Sequence, residues 1–218
     1  MDSKALFKIT YGLYVLTARQ GEKDNGCIVN TVMQVADQPV RLAVSVNKQN
    51  LTCEMIKETG MFNVSAITTE ADFALFQRFG FQSGRDADKF RGMSGLKRSE
   101  NGLYYLTEMT NAFLSAKVAE QYDLGTHMLF IAQMTDGEVL SDGWGCSYAY
   151  YQADIKPKPA PAKKKSWVCE ICGYVHEGED VPDDFICPIC KHGKEAFKPL
   201  DTYKQWKNLN VPSVYGKL

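Results

Sequence analysis

The stretch that decides the architecture of one end of the chain reads Trp167-Val-Cys-Glu-Ile-Cys-Gly-Tyr174, followed by Val181-Pro-Asp-Asp-Phe-Ile-Cys-Pro-Ile-Cys190. It contains two Cys-x-x-Cys pairs with fourteen residues between them. Each pair can hold a metal ion from a tight turn, and two pairs complete a tetrahedral shell of four thiolates. The spacing therefore predicts one metal ion bound by Cys169, Cys172, Cys187 and Cys190.

This ligand set leaves the metal open, because a structural zinc ribbon and a single-iron electron carrier both use four thiolates. Gly173, directly after the second cysteine, lets the backbone fold close to the ligand sulfurs. Backbone N–H groups can then point at sulfur and tune the metal. A unit of ~40 residues buries little apolar surface, so we expect the metal to stabilise its fold.

A segment rich in lysine and proline separates this unit from the rest of the chain. Residues 156–165 contain three prolines and five lysines, with no large apolar side chain. Proline favours extended backbone and like charges repel, so the segment is predicted to be a linker. The predicted organisation is a first domain at 1–155, the linker at 156–165, a metal-binding domain at 166–204 and a tail at 205–218.

Composition and charge exclude several classes of protein. The chain of 218 residues is 44% hydrophobic and 23% charged, as globular proteins are. A net charge of -1 argues against a protein held by nucleic-acid phosphates. No apolar run approaches the roughly 18 residues of a membrane helix, and the first residues show no signal-peptide pattern. We therefore expect a cytoplasmic protein with no nucleic-acid or membrane partner.

The cysteine count and the local charge add two expectations. Seven cysteines, an odd number, argue against a disulfide framework, and the lone Cys27, Cys53 and Cys146 are expected to be small buried hydrophobes. Between positions 166 and 204 there are eight acidic and four basic residues. This excess either serves solubility or forms an acidic face that steers docking to a partner.

The first domain alternates short strand-like runs with turn residues. Leu51–Glu58 and Ala71–Phe79 have a helical pattern, the former opened by Asn50 and closed by Gly60. Many short strands with few helices predict a mostly β fold, a closed β-barrel with helices packed outside. Turns are expected at Asn25-Gly26, Asp37-Gln-Pro39, Asn101-Gly102 and Asp136-Gly137. The predicted strands are Gly12–Arg19, Cys27–Val35, Arg41–Val46, Met61–Ile67, Leu103–Leu106, Ala112–Glu120 and Met128–Met134.

The C-terminal segment resembles rubredoxins, which share the Cys-x-x-Cys-Gly-Tyr and Pro-Asp-Asp-Phe-x-Cys-Pro-x-Cys patterns. The resemblance implies a single Fe(2+/3+) ion on the four cysteines, with structural zinc as the alternative. It also implies a small aromatic core around the iron. One departure is Lys191, because rubredoxins usually carry Gly after the fourth cysteine. The implied core residues are Trp167, Tyr174, Phe185 and Phe197.

Residues 3 to 152 resemble the flavin reductase family with the FMN-binding split barrel. The resemblance implies a homodimer that binds FMN without a covalent bond and accepts hydride from NADH or NADPH. No single motif carries it; the ordered set does. The set comprises Gly26–Gln34, Pro39, Val44–Thr52, Glu58–Val64, Ser83–Phe90, Gly125–His127 and Gly137–Val139.

The flavin reductase resemblance assigns cofactor contacts to two neighbouring segments. The strand Asn30-Thr31-Val32-Met33-Gln34 would lie along the isoalloxazine ring and the ribityl chain. Lys48 would bring a cation to the phosphate, and a helix that begins near Asn50 would offer free N–H groups and the positive end of its dipole. Without the resemblance, Lys48 is a solvated loop lysine and the strand an ordinary one. The implied phosphate contacts are Asn47, Lys48, Asn50 and Thr52.

The same resemblance points to further side chains nearer the reacting ring. Lys89 occupies a position that the family places beside the flavin, where a cation stabilises the reduced ring; the alternative is a surface lysine. His127 falls where many members have Gly-Asp-His, linked to flavin and nicotinamide, although this chain has Thr126 before it. The alternative is a core or surface histidine. The family's final aromatic strand corresponds to Tyr148, Tyr150 and Tyr151, whose default role is core packing.

The order of the two domains resembles proteins of anaerobic bacteria in which a flavin reductase-like domain is fused to a rubredoxin. The resemblance implies that electrons pass from NADH or NADPH to FMN, then singly to iron, and then to a flavodiiron protein that reduces nitric oxide or oxygen. Two other classes remain. One is a plain flavin reductase that releases reduced flavin and carries a zinc tail; the other is a non-enzymatic flavin sensor.

Overall fold

The structure, a computed structural model, describes residue 5, residues 8–157 and residues 165–200. The chain divides into two units, Met1–Pro157 and Lys158–Leu218, and the division falls inside the expected linker. Most of that linker, residues 201–204 and the predicted tail lie outside the described residues. No helix in the described ranges is long and apolar enough to cross a membrane.

Seven strands of the first unit form one antiparallel sheet, and two further strands pair in a separate hairpin. The helices are α1 at Leu51–Thr59, α2 at Phe73–Gly80 and a short α3 at Tyr148–Tyr150, which continues into a π-helical turn at Tyr151–Ile155. The strands are β1 Tyr14–Gln20, β2 Lys23–Val29, β3 Met33–Asp37, β4 Val40–Asn47, β5 Met61–Ile67, β6 Leu96–Arg98, β7 Tyr104–Leu106, β8 Thr110–Asp123 and β9 His127–Val139. The order of the strands in the sheet is β2-β1-β5-β8-β9-β4-β3, and the hairpin pairs β6 with β7.

The sheet curls around a single core. Cys27 from β2 and Leu42 from β4 stand near opposite ends of the strand order, yet both belong to one cluster of buried side chains with Phe62 and Phe130. Over the described residues no ladder joins β2 to β3, so the barrel is split at this seam. The mostly β fold and the split barrel implied by the flavin reductase resemblance are confirmed, whereas the full closure suggested by the strand pattern alone was wrong.

The two longer helices have clear local causes. Asn50 is extended before α1, and Gly60 adopts a left-handed conformation with φ 68° at its end, as predicted from the sequence. The side chain of Asp72 caps α2 by accepting a hydrogen bond from the Leu75 N–H at 3.0 Å. Each helix buries an apolar face, α1 against the barrel core and α2 against a second cluster.

Three local predictions in the first unit were wrong. The run Cys27–Val35 was predicted to be one strand, but it is interrupted between β2 and β3. There the Thr31 hydroxyl bonds Ser45 in place of a strand ladder: it donates to the Ser45 carbonyl at 2.7 Å and accepts from the Ser45 N–H at 3.1 Å. Asn25-Gly26 and Asp136-Gly137 lie inside strands β2 and β9 instead of forming turns. The expected aromatic strand is helical, because Ser147 caps Tyr150 N–H at 3.1 Å and Tyr151 packs on Phe76.

The C-terminal unit is a small three-stranded sheet in the order β11-β10-β12, with β10 at Ser166–Cys169, β11 at Val175–Glu177 and β12 at Phe197–Pro199. A 3-10 turn at Lys194–Ala196 precedes β12. The expected aromatic core is confirmed, since all four aromatic residues belong to one cluster with the cysteines. Its rings meet edge to face at Phe185–Phe197, with centroids 5.5 Å apart.

The three lone cysteines are buried as predicted, with Cys27 4%, Cys53 1% and Cys146 2% exposed. Burial raises the pKa of the Cys27 and Cys146 thiols to about 11 and also raises that of Cys53. The thiolate is the reactive form, and at pH 8 a thiol of pKa about 11 is only about 0.1% ionised. These side chains are packing groups, not reactive nucleophiles.

In the native protein, therefore, Cys27, Cys53 and Cys146 should resist alkylation by iodoacetamide at pH 8. The measurement is mass spectrometry of the labelled peptides over time. Unfolding in denaturant with a chelator is the control and should expose all seven cysteines. Rapid native labelling of Cys27 would contradict the burial seen here.

Candidate cofactor and metal sites

The four paired cysteines converge on one point in the C-terminal unit, and their sulfur atoms all lie within 4.8 Å of one another. Cys169 Sγ is 3.5 Å from Cys190 Sγ, and Cys172 Sγ is 3.5 Å from Cys187 Sγ. Metal–sulfur bonds of ~2.3 Å in a tetrahedron place sulfurs about 3.8 Å apart, close to these separations. The donor set therefore fits a tetrahedral metal ion, as the sequence spacing predicts.

The electrostatics of the cluster call for a cation. Burial opposes ionisation of Cys187, but the N–H groups of Cys190 and Ile189 and the neighbouring thiols lower its pKa to about 6. At Cys190 the N–H of His192 favours the thiolate, yet burial and the three other thiols raise the pKa to about 12. Cys187 therefore ionises readily while Cys190 resists, and a bound metal ion would favour the thiolate form of all four ligands.

The two Cys-x-x-Cys turns share one hydrogen-bond pattern. In the first, Gly173 N–H donates to Cys169 O at 2.8 Å; in the second, Lys191 N–H donates to Cys187 O at 3.0 Å. Both residues are left-handed, with φ 77° at Gly173 and 61° at Lys191. That conformation costs a residue with a side chain roughly 1–2 kcal/mol, a cost that Gly173 avoids.

In the first unit, a cavity of about 250 Å³ lies at the start of α1. The first N–H groups of a helix have no intrahelical partner, and Asn50 provides no side-chain cap for them. Together with the helix dipole they make a site suited to an anion. The lining comprises Asn25, Cys27, Gln49, Asn50, Leu51, Thr52, Gly80, Phe81, Gln82, Ser83, Gly84 and Lys89.

Lys89 is the strongest electrostatic feature of this cavity. It is only 4% exposed, so the surface alternative for this residue was wrong. Its Nζ donates to Gly26 O at 2.8 Å and to Phe79 O at 3.2 Å, and among the described residues no carboxylate pairs with it. Burial lowers its pKa. A buried cation with no counter-ion gives the cavity an affinity for negative charge.

The structure brings together around this cavity Asn50 and Thr52, predicted at the phosphate, and Lys89, predicted beside the flavin ring. Among the other lining residues, Asn25 and Ser83 carry polar side chains that sequence reasoning did not assign to the cofactor. Asn25, read as part of a turn, donates from Nδ2 to the buried Thr52 hydroxyl at 2.9 Å. Ser83 lies in the segment quoted for the resemblance, but only its place in the lining of the same cavity as Lys89 distinguishes it.

Other predicted contacts lie elsewhere. Lys48 Nζ forms an ion pair with Asp123 at 2.5 Å, and the Asn47 side chain accepts from Gln49 N–H at 2.9 Å. Asn47 is opposite His127 in the β4–β9 ladder, and the ring of His127 contacts the Thr126 hydroxyl at 2.8 Å. The predicted ring contacts also fall outside the cavity lining: Asn30, Thr31 and Val32 link β2 to β3, while Met33 and Gln34 begin β3.

The split barrel and the four converging cysteines together fit an oxidoreductase of the flavin reductase type with an attached metal-binding domain. Residues 6–158 match the model of the flavin reductase like domain, and residues 167–198 match that of the rubrerythrin, rubredoxin-like domain. The chain therefore belongs to the flavin reductase-like family. Along both units it is similar to high molecular weight rubredoxin from Moorella thermoacetica, with 41% identity over 92% of this chain and 100% of the relative.

Two further comparisons concern the first unit. Ferric-chelate reductase (NAD(P)H) from Archaeoglobus fulgidus is 39% identical over 72% of this chain and 93% of its own length. The solved NADH:FAD oxidoreductase SgcE6 of Streptomyces globisporus, in complex with NAD and FAD fragments, superimposes with a TM-score of 0.60 over 73% of this chain and 91% of that one. At 18% identity this likeness concerns the fold alone, and it agrees with the predicted fold class.

Proposed function

We propose that this chain is an electron-transfer oxidoreductase that takes electrons from NADH or NADPH and delivers them singly to a partner protein. FMN would bind in the first unit and one iron ion on the four cysteines. When bound, these groups supply hydride acceptance and one-electron transfer, while the protein supplies position and electrostatics. The single observation that carries the proposal is the pairing of a cationic, anion-sized cavity with a four-thiolate cluster in one chain.

The cavity supports a flavin with a terminal phosphate. Lys89 has already used two donors on backbone carbonyls, and its ammonium group keeps one N–H for a ligand. The hydroxyl of Thr52 and the first-turn amides of α1 add uncharged donors. A volume of about 250 Å³ lies below the ~300–1,000 Å³ of whole-ligand sites, so it suits the phosphate end of FMN.

The C-terminal unit supports electron exit to another protein. Cys172 and Cys190 are partly exposed, whereas Cys169 and Cys187 are buried. Beside the two accessible sulfurs, Ile171 is 61% and Ile189 65% exposed. An apolar surface around an accessible ligand lets a partner approach the metal closely. A flavodiiron protein that reduces nitric oxide or oxygen is the acceptor we propose.

A second function has one observation in its favour. The same tetrahedral four-thiolate shell accepts zinc as well as iron. With zinc the C-terminal unit would be structural, and the chain would be a flavin reductase that releases reduced flavin.

Anaerobic NADH should bleach the visible absorbance of both the flavin and the ferric centre in the purified full chain. Changing all four cluster cysteines to serine should preserve flavin bleaching but abolish reduction of an added flavodiiron protein. Equal reduction of that acceptor by the variant would remove the role given to the iron. Zinc in the native protein, found by metal analysis, would favour the second function.

Replacing Lys89 with Met should weaken FMN binding by about 10- to 100-fold, because one charge-assisted hydrogen bond contributes ~1.5–3 kcal/mol. The measurement is flavin fluorescence titration, with circular dichroism to confirm the fold. Lys57→Met on the exposed face of α1 is the matched control and should leave affinity unchanged. Unchanged affinity in the folded Lys89 variant would contradict a phosphate site at this cavity.

We also propose that the first unit forms a homodimer through the edge strand β3. Met33 is 59% and Val35 46% exposed there, and neighbouring Val40 on β4 is 37% exposed. Met33→Glu should halve the mass seen by light scattering, because burying a carboxylate in an apolar interface is costly. Trp144→Glu, at an 84% exposed site outside this edge, is the control. A dimer that survives the Met33 change would exclude this face.

A further inference from the structure

The two metal-binding turns are equivalent in backbone but not in side chain. Cys169 N–H donates to Tyr174 O at 2.8 Å, and in the second turn Cys187 N–H donates to His192 O at 2.8 Å. The residue after the second cysteine of each turn is left-handed, Gly173 in one and Lys191 in the other. A glycine would satisfy the same backbone geometry at Lys191 without strain. The backbone geometry of the turn therefore does not require a lysine at this position.

The charge of Lys191 distinguishes it from other lysines of the same unit. Lys165 pairs with Glu179 at 3.4 Å, Lys194 with Asp183 at 2.9 Å and Lys198 with Glu170 at 3.1 Å. Within the described residues 165–200, Lys191 takes part in no ion pair. An unneutralised cation thus directly follows the partly exposed ligand Cys190.

We propose that Lys191 sets the reduction potential of the metal centre, raising it through the uncompensated positive charge of the residue that directly follows the ligand Cys190. This inference rests on the proposed function, because it requires iron at the site. Four thiolates with ferric iron carry a net charge of -1, and reduction increases it to -2. A nearby cation stabilises the more negative state, and net charge near the cluster is a recognised determinant of its potential. Lys191 thus acts on the potential through its charge and is not a ligand of the metal.

The test is a redox titration of the full iron-loaded chain, followed by the EPR signal of ferric iron. Lys191→Gln keeps a long side chain but removes the charge, and should make reduction about three- to tenfold less favourable. Tenfold corresponds to ~59 mV for a one-electron couple. Lys191→Arg keeps the charge and should retain the native potential. The gap between the native chain and the Gln variant should shrink at high salt, because exposed charges are screened.

A second readout separates charge from backbone strain. Lys191→Gly should lower the potential as the Gln variant does, yet raise the unfolding temperature of the C-terminal unit. Identical potentials in the native, Gln and Arg proteins would overturn the inference. An equal fall in the Arg variant would overturn it too, since the effect would then follow shape and not charge. Absence of iron from the native chain is a different result, which contradicts the proposed function itself.

Discussion

The ladder between β8 and β9 is the constraint on which the first unit depends. In the described part of the chain it is the one strand ladder that joins the half-sheet of β2, β1 and β5 to the half-sheet of β4 and β3. Its register shifts twice, between Ser115 and Ala116 and between Val118 and Glu120. Such bulges bend the strands and increase their twist. Both half-sheets therefore curve around one core, although their free edges never pair.

This curvature also creates the cavity. Helix α1 follows β4 on one half-sheet and leads into β5 on the other, and its buried residues belong to the core that both half-sheets share. There it packs on β1 and β2, and its first turn reaches Asn25. The segment after α2 then places Lys89 against the carbonyl of Gly26. A helix start and a buried cation meet because the topology forces them together, and the unpaired charge is costly unless an anion joins it.

The C-terminal unit depends on a different constraint. Its buried cluster consists largely of the metal ligands and a few aromatic rings, which is little apolar area for an independent fold. Despite the N–H of His192, burial and the neighbouring thiols raise the pKa of Cys190, whereas backbone N–H groups and the neighbouring thiols lower that of Cys187 despite its burial. A metal ion held by the four cysteines would offset the charge of their thiolates and hold the fold together, so metal binding and folding would be linked. The stability of this unit is accordingly a property of the metal site.

These two constraints explain which features could be predicted from the sequence. The metal site could be predicted from local spacing, because each Cys-x-x-Cys turn sets its own geometry. All four converging residues, Cys169, Cys172, Cys187 and Cys190, were predicted in this way. Helix α1 could also be predicted from the sequence, since Asn50 and Gly60 mark its two ends locally. The cavity could not be predicted from local patterns, because Asn25, Thr52 and Lys89 are distant in sequence and come together only through the curled sheet. Gly26 shows the limit well. The dipeptide Asn25-Gly26 suggested a turn, but Gly26 lies in β2. A Cβ at this position would stand 3.1 Å from the ring of Phe79 and 3.2 Å from the carbonyl of Leu16. The absence of a side chain there reflects packing against α2, a long-range requirement that no local pattern encodes.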